Sequence, residues 1–232
     1  MSEAAGGRRG PAGYPKFPSF TGDSCTMVRA RNGHALSGAK IRQMHASTPP
    51  FSLPQPGRVD KLVNLPGVVL LALDVDGVLT DGSINLDDHG VETKRFNVRD
   101  GQGIAAWLGL GLEVAVITRR AGKCIEHRCR ELGITRLVQG SKDKSAALDE
   151  LLASTGLSER EVAYIGDDWP DVPVLRRVGV PICPPKTDAL VAAACAMMTR
   201  AQGGDGAVRE AIETILASKG MLERAAGLYT GD

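Results

Sequence analysis

Four groups of polar residues in this 232-residue chain directly follow apolar runs or directly precede a helical pattern. Asp74 and Asp76 belong to a D-V-D-G segment, Thr118 follows a second run, Lys144 precedes a helical pattern, and Asp167 opens an acidic cluster. Together they offer a nucleophile, a second carboxyl group, a hydroxyl, a cation and hard oxygen ligands. These are the groups with which an aspartate, assisted by Mg²⁺, can attack a phosphate ester.

The carboxylate pair has a spacing that suits two roles in one reaction. Alternate residues of an extended segment share a face, so Asp74 and Asp76 can point at one reacting centre while Gly77 lets the backbone turn closely around a phosphate. Asp74 is the candidate nucleophile. Asp76 is the candidate general acid and base, which protonates the leaving alkoxide and then deprotonates a water molecule. The alternative is a turn in which both aspartates bond to nearby backbone amides.

Each of the other groups also has a purely structural alternative. Thr118 can donate to a phosphoryl oxygen or cap a helix, and Lys144 can neutralise phosphate charge or be solvated surface. The acidic cluster, with Asp167, Asp168 and Asp171, can bind a metal or cap a helix. Independent capping roles would not require this order at consecutive strand ends. The joint pattern therefore favours a phosphate and metal site.

The elements that must position these groups follow from hydrophobic periodicity. Short apolar runs alternate with helical patterns after residue 67, which predicts an α/β fold with a Rossmann-like, doubly wound parallel sheet. The predicted strands span residues 68–74, 113–118, 136–138, 162–166 and 180–183. The predicted helices lie near residues 101–110, 121–132, 143–154, 170–178, 186–195 and 206–217. Residues 82–97 predict a β-hairpin inserted after the first strand, with its turn at residues 87–90.

Composition divides the chain into a basic N-terminal extension and a net acidic domain. Residues 1–66 hold 9 Lys and Arg against 3 Asp and Glu, whereas residues 67–232 hold 19 against 24. We predict that the Pro- and Gly-rich residues 1–66 are largely disordered, that residues 67–220 form one phosphatase domain, and that residues 221–232 are a tail. The favoured interpretation of the extension is a dispensable segment, with organelle targeting or a basic contact arm as alternatives.

Cysteine usage and hydropathy predict a cytoplasmic protein with no membrane partner. The five cysteines are odd in number and form no C-x-x-C pair, which fits a reducing compartment. No apolar run approaches the roughly 18–20 residues that span a bilayer. No nucleic-acid partner is expected, because the basic extension lacks interleaved aromatic residues and the domain is net acidic.

The four groups resemble the four motifs of the haloacid dehalogenase (HAD) superfamily over about residues 68–217. The resemblance implies the HAD fold and a Mg²⁺ cofactor. It implies that Asp74 is both nucleophile and metal ligand, that Asp76 adds its backbone carbonyl to the metal, and that Asp167 completes the metal site.

The same resemblance implies roles for the remaining motif residues. Thr118 and Lys144 match the residues that hold phosphate, and Lys144 is preferred to Lys142 because the family lysine ends a G-x-x-x-K stretch. Asp168 and Asp171 match outer-shell or orienting groups of the last motif.

The motifs lie too close together along the chain for a cap domain. Only the hairpin and one helix separate Asp76 from Thr118, and only one helix and one strand separate Lys144 from Asp167. An aspartyl-phosphate site must be shielded from water, so we expect a large substrate or another subunit to close it. The hairpin, with exposed edges, is the expected contact between subunits.

Two further stretches, F-N-V-R-D-G-Q-G-I from Phe96 and G-G-D-G-A-V-R-E from Gly203, resemble the capless 3-deoxy-D-manno-octulosonate 8-phosphate (KDO 8-phosphate) phosphatases. That family resemblance implies a homotetramer and hydrolysis of KDO 8-phosphate for lipopolysaccharide synthesis. Arginines suit a substrate that carries a carboxylate as well as a phosphate, although each arginine alone can be a solvated helix residue. The predicted additional substrate-binding residues are Asn97, Arg99, Asp100, Gly101, Arg120 and Arg128.

Two positions depart from the family pattern and leave alternatives open. Ala105 stands where a basic residue is usual, and Arg119 stands where a glycine is usual. A nonulosonate 9-phosphate, such as that of an acylneuraminate or its deaminated analogue KDN, is therefore the second candidate substrate. A noncatalytic HAD-like oligomerisation domain is the third hypothesis. Such a domain can dispense with Asp74 and Asp76, whereas this chain keeps both.

Overall fold

A computed structural model describes residues 51–52 and 63–230 of the chain. The predicted disorder of residues 1–66 falls mostly on residues outside this description. The strands are β1 Phe51–Ser52, β2 Leu70–Leu73, β3 Asn85–Leu86, β4 Glu92–Thr93, β5 Glu113–Ile117, β6 Arg136–Val138, β7 Val162–Ile165, β8 Val180–Cys183 and β9 Met197–Thr199. The α-helices are α1 Val98–Gly109, α2 Lys123–Leu132, α3 Lys144–Thr155, α4 Val172–Leu175, α5 Ala189–Ala194, α6 Ala207–Ser218 and α7 Leu222–Thr230.

The main sheet has seven strands in the order β1-β9-β8-β7-β2-β5-β6. All neighbouring pairs are parallel except β1 and β9, which are antiparallel. Strands β3 and β4 form a separate antiparallel pair. The predicted doubly wound α/β fold with a hairpin insertion after the first long strand is thereby confirmed. No helix within residues 63–230 has the length and apolar character needed to cross a bilayer.

Strand β2 lies between β7 and β5 inside the sheet and is buried on both faces. Leu71 and Leu73 pack into a core with Trp107 of α1 and residues of α6. Leu70 and Ala72 face a second core that includes residues of α3, α4 and α5. Helices on both faces explain why β2 is a continuous apolar run rather than an alternating one.

Three elements were not predicted, and each depends on contacts distant in sequence. Strand β9 consists of Met and Thr after an alanine-rich helix, so local propensity favours continued helix. Pairing of Ile182 with Met197 overrides that preference. Strand β1 pairs with β9 inside the segment predicted as extension. Helix α7 occupies the segment predicted as a tail, and its Ala225 is buried in the core shared by α1 and α6.

The loop before α6 packs directly against the D-x-D-G loop that follows β2. The Gly204 amide donates to the Val78 carbonyl at 2.9 Å. A Cβ atom built on Gly203 would overlap the carbonyl oxygen of Gly77, so this close approach requires glycine. Two segments far apart in the chain therefore hold each other in place beside the predicted nucleophile.

Replacing Gly203 by alanine should destabilise the fold, because either the new methyl group or the Gly77 carbonyl must shift. We expect Gly203→Ala to lower the free energy of unfolding by about 1–3 kcal/mol, the usual range for overpacking. Chemical denaturation of the full chain measures this change. The matched control is Gly122→Ala, whose Cβ would meet its nearest atom, Sγ of Cys124, at an ordinary 3.5 Å. Equal stability of Gly203→Ala and wild type would contradict the close-approach argument.

Candidate active site

The carboxyl ends of three adjacent strands, β5, β2 and β7, meet at one open cavity of about 470 Å³. The strand order explains the convergence, because the polar residues that follow neighbouring parallel strands must lie on the same sheet edge. The lining residues are Asp74, Asp76, Gly82, Thr118, Arg119, Arg120, Lys144, Asp167, Asp168, Pro170 and Asp171. The structure thus brings together the seven candidate functional residues of the four predicted motifs.

Lys144 is the central cation of the cavity. Asp143 caps α3, accepting from the amides of the second and third helical residues, so the helix begins at Lys144 and directs it into the site. The Lys144 ammonium is buried and lies 2.8 Å from Oδ1 of Asp74 and 2.6 Å from Oδ1 of Asp171. A buried ammonium is costly unless it is paired, and here two carboxylates compensate it.

Asp171 connects the lysine to the acidic loop. Its Oδ1 accepts hydrogen bonds from Lys144 and from the buried Tyr164 hydroxyl, the latter at 2.6 Å. Its Oδ2 accepts from the amides of Asp167 and Asp168, each at 3.1 Å. These contacts support the predicted orienting role of Asp171. Asp168 is the N-cap residue of the short 3₁₀ helix Trp169–Asp171, and its role stays a prediction.

Tyr164 is a site residue that the motifs did not reveal. Its hydroxyl lies within hydrogen-bond distance of both Lys144 and Asp171. The available signal was one tyrosine in an otherwise aliphatic V-A-Y-I strand, because a buried phenol needs a polar partner.

Three carboxylates form a cluster without enough positive charge to compensate them. Oxygen atoms of Asp74, Asp167 and Asp171 all lie within 4.8 Å of one another. Burial, followed by repulsion from Asp171, raises the pKa of Asp74 to about 7 although Lys144 opposes the change. Burial, followed by repulsion from Asp74, raises the pKa of Asp167 to about 8.

These carboxylates fit a hard divalent cation. Oδ1 of Asp167 is buried and has no hydrogen-bond partner among the residues that the structure describes. An all-oxygen donor set with excess negative charge is what Mg²⁺ prefers. The predicted ligands Asp74 and Asp167 both belong to this cluster, whereas the side chain of Asp76 does not. The part assigned to the Asp76 backbone carbonyl stays a prediction.

Asp76 is held by charged residues of the hairpin and of the loop after β5. Lys94 contacts Oδ1 of Asp76 and lies 2.9 Å from Oε1 of Glu92. Arg120 lies 3.0 Å from that same Glu92 oxygen and 3.8 Å from Oδ2 of Asp76. Neither Glu92 nor Lys94 was predicted. Their E-x-K spacing, which places alternate side chains on one face, was the available signal.

Thr118 directly follows β5, and its side chain is buried at the cavity. Its Oγ1 accepts a hydrogen bond from the Arg120 amide at 3.3 Å. The hydroxyl hydrogen therefore remains available for donation to a phosphoryl oxygen.

Five predicted substrate-binding residues do not line the cavity of the single chain. Asn97 caps α1, and the buried Asp100 accepts hydrogen bonds from the amides of Gly206 and Arg209, at the start of α6. Asp100 thus fixes the start of α6, and Gly204 in the preceding loop bonds to the D-x-D-G loop that carries Asp74.

The remaining three of these five residues lie at the junction of α1 and α2. Gly101 leaves room for Arg128, whose guanidinium bonds to the Asn97 carbonyl at 3.5 Å, and Arg99 is exposed. The substrate-binding assignment of all five residues stays a prediction.

Comparison with known proteins shows close relatives over most of the described chain. No protein-family model matches. The 3-deoxy-D-manno-octulosonate 8-phosphate phosphatase KdsC of Escherichia coli (strain K12) is 42% identical over 172 residues, which cover 74% of this chain and 92% of that protein. KdsC of Yersinia pestis is 43% identical over 169 residues, which cover 73% of this chain and 90% of that protein.

Solved structures agree with the sequence relatives. The 3-deoxy-D-manno-octulosonate 8-phosphate phosphatase of Moraxella catarrhalis, crystallised with magnesium, phosphate and KDO, has a TM-score of 0.70 at 37% identity, covering 72% of this chain and 95% of that chain. A HAD superfamily (subfamily III A) hydrolase of Legionella pneumophila also has a TM-score of 0.70 at 38% identity. That match covers 72% of this chain and 92% of that chain. The predicted resemblance is confirmed: this chain belongs to the 3-deoxy-D-manno-octulosonate 8-phosphate phosphatase family of the HAD superfamily.

Proposed function

We propose that this chain hydrolyses KDO 8-phosphate to KDO and phosphate in a Mg²⁺-dependent reaction, through an aspartyl-phosphate on Asp74. The observation that carries the proposal is the buried Asp74 carboxylate, held 2.8 Å from Lys144 beside a carboxylate cluster suited to a divalent cation. The magnesium, phosphate and KDO bound by the Moraxella catarrhalis relative support the same substrate and cofactor.

The first chemical step forms the covalent intermediate. When bound by Asp74 and Asp167, Mg²⁺ would supply the positive charge that offsets repulsion between a carboxylate and a phosphate. A carboxylate oxygen of Asp74 attacks phosphorus, the bond from phosphorus to the sugar oxygen breaks, and Asp76 gives its proton to that oxygen. Lys144 and Thr118 hold the phosphoryl oxygens during transfer.

The second step regenerates the enzyme. Asp76, now a carboxylate, takes a proton from a water molecule as that water attacks phosphorus. The acyl-phosphate bond breaks, inorganic phosphate leaves, and Asp74 returns to its carboxylate form. Because Oδ1 of Asp76 accepts from Lys94, Oδ2 is the oxygen that gives and takes the proton.

We also propose that the hairpin makes the contact between subunits of a homotetramer. Ile84, Leu86 and Val91 lie on or beside its two strands and are 57%, 62% and 56% exposed. Three large aliphatic side chains on one short hairpin are an unfavourable surface for a single chain in water. Their burial against other copies would also shield the open cavity.

A cytoplasmic location and a role in lipopolysaccharide synthesis complete the proposal. The four cysteines of the described chain, Cys124, Cys129, Cys183 and Cys195, are all free thiols. Free buried thiols are typical of proteins from reducing compartments.

Replacement of the nucleophile tests the reaction. We expect Asp74→Asn to lower Mg²⁺-dependent phosphate release from KDO 8-phosphate by at least about a thousandfold, because an amide cannot form the acyl phosphate. The measurement covers KDO 8-phosphate, nonulosonate 9-phosphates and simple sugar phosphates. Asp88→Asn, an exposed turn residue outside the cavity, is the matched control and should keep wild-type rates. Near wild-type turnover by Asp74→Asn would disprove the nucleophile assignment.

The raised carboxyl pKa values predict opposite effects of pH on stability and on metal affinity. Because Asp74 and Asp167 have pKa values of about 7 and 8, the folded metal-free chain binds more protons than the unfolded chain between about pH 4 and pH 8. Their contribution to the free energy of unfolding should therefore fall as pH rises across that window. Mg²⁺ affinity should increase, because binding must release those protons.

Thermal unfolding at pH 6 and pH 8, with and without Mg²⁺, measures both effects. The variant Asp167→Asn separates the contribution of the carboxylate cluster from that of other titrating groups, because it removes one repelling charge from the cluster alone. This variant should lose less stability than wild type as pH rises and should be stabilised less by Mg²⁺, whereas Asp88→Asn should behave as wild type. Wild-type behaviour of Asp167→Asn would exclude this carboxylate from the metal site.

The hairpin contact predicts a concentration-dependent assembly. Light scattering should give a mass of about four times the 24.5 kDa chain. The double variant Ile84→Glu, Leu86→Glu should form smaller assemblies, because it places charge in the proposed apolar contact. The control is Leu190→Glu, a comparably exposed leucine on α5, which should leave the mass unchanged. A fully active wild-type monomer would refute the assembly.

A further inference from the structure

The hairpin is connected to the catalytic loops by charged side chains. Lys94, next after β4, contacts Asp76 on one side and Glu92 on the other. Glu92 is in turn 3.0 Å from Arg120, which follows the phosphate-binding Thr118 by two residues. These four side chains form a continuous alternation of charge, Asp76-Lys94-Glu92-Arg120, which we call the hairpin network.

The side chain of Lys94 is buried although it belongs to the hairpin segment. Its side chain is 1% exposed, whereas the side chain of Arg95, the next residue, is 77% exposed and pairs with Asp81 outside the cavity lining. Burial alone would lower the pKa of Lys94, but the hydrogen bonds from its ammonium to Asp76 and Glu92 outweigh it and keep that pKa above its ordinary value. Lys94 is thus a buried ammonium compensated by two carboxylates.

The contact with Lys94 determines which oxygen of Asp76 can react. Oδ1 accepts from the Lys94 ammonium. Oδ2 lies 3.8 Å from Nε of Arg120, which is too long for a hydrogen bond, so this oxygen is available to a substrate in the cavity. A general acid must stand within hydrogen-bond reach of the leaving oxygen, and a freely rotating carboxylate meets that condition only part of the time.

We infer that Lys94 is a positioning residue that fixes the Asp76 carboxyl group with Oδ2 toward the leaving oxygen, and that Glu92 holds Lys94 in that place. This inference rests on the proposed phosphatase reaction and adds a residue to it. The hairpin then serves catalysis within its own subunit, in addition to any contact it makes with another copy.

The test compares Lys94→Met with Arg95→Met. Methionine keeps much of the lysine stem and removes the ammonium, and the two variants remove adjacent cations from one segment. We expect Lys94→Met to lower kcat for KDO 8-phosphate by about 10- to 100-fold with KM within about threefold, since a misplaced acid affects chemistry more than binding. Arg95→Met should remain within about twofold of wild type in both constants.

A second measurement separates positioning from a general loss of structure. Nitrophenolate needs no proton to leave, so single-turnover release of nitrophenolate from p-nitrophenyl phosphate reports formation of the aspartyl-phosphate without help from Asp76. Lys94→Met should keep this rate within about threefold while losing the sugar phosphate reaction. In an Asp76→Ala background, Lys94→Met should cause no further loss, because it acts through a group that is already absent.

The outcomes distinguish this inference from the function on which it rests. Wild-type protein that shows no Mg²⁺-dependent phosphate release would overturn the proposed function itself. Active wild type with an unchanged kcat in Lys94→Met, equal losses on both substrates, or an additive loss in the Asp76→Ala background would overturn only the role of Lys94. If Lys94→Met fails to fold by circular dichroism, Glu92→Gln, which weakens the contact that holds Lys94, replaces it in the same two-substrate comparison, with the same outcomes decisive.

Discussion

The ion pairs of the buried Lys144 are the interaction on which the catalytic centre depends. One ammonium lies within 2.8 Å of the proposed nucleophile and within 2.6 Å of the aspartate that holds the acidic loop. Removing one partner of a buried pair typically costs about 3–5 kcal/mol, because the remaining charge is left uncompensated in a poor solvent. The lysine therefore connects the carboxyl ends of β2 and β7 through α3. In the proposed reaction the same ammonium would also bind the incoming phosphate, so that stability and catalysis would both depend on one side chain.

The carboxylates around this lysine show how the site uses unfavourable electrostatics. Asp74, Asp167 and Asp171 repel one another, and one lysine cannot compensate three negative charges. The resulting elevation of pKa at Asp74 and Asp167 favours their protonated forms, and a divalent cation would displace those protons on binding. Around Asp76, by contrast, the hairpin network arranges opposite charges in alternation. Asp76 therefore lies among balanced charges, whereas Asp74, the proposed nucleophile, belongs to a carboxylate cluster that Lys144 compensates only in part. This difference matches their different proposed tasks.

The sheet and its strand ends were predictable because their signal is local. Asp74 and Thr118 terminate apolar runs and Lys144 precedes a helical pattern, so the sequence alone predicts that all three lie at one sheet edge. Contacts across the fold were not predictable in this way. Lys94 reaches Asp76 only because the hairpin folds back over the nucleophile loop, and no spacing along the chain encodes that return. Family resemblance identified Asp100 as a notable residue, yet its contacts in the structure are backbone amides at the start of α6 and not the cavity.

The glycine contact between the two ends of the domain has a consequence for biosynthesis. Asp100 bonds to Gly206 across 106 residues, and Gly204 bonds to the loop that carries the nucleophile. A chain emerging from the ribosome cannot complete that loop until the segment preceding α6 has also been translated. Phosphate-ester chemistry should thus begin only after residues 203–206 have been translated, and products truncated before that segment should be catalytically silent even where their central strands have paired.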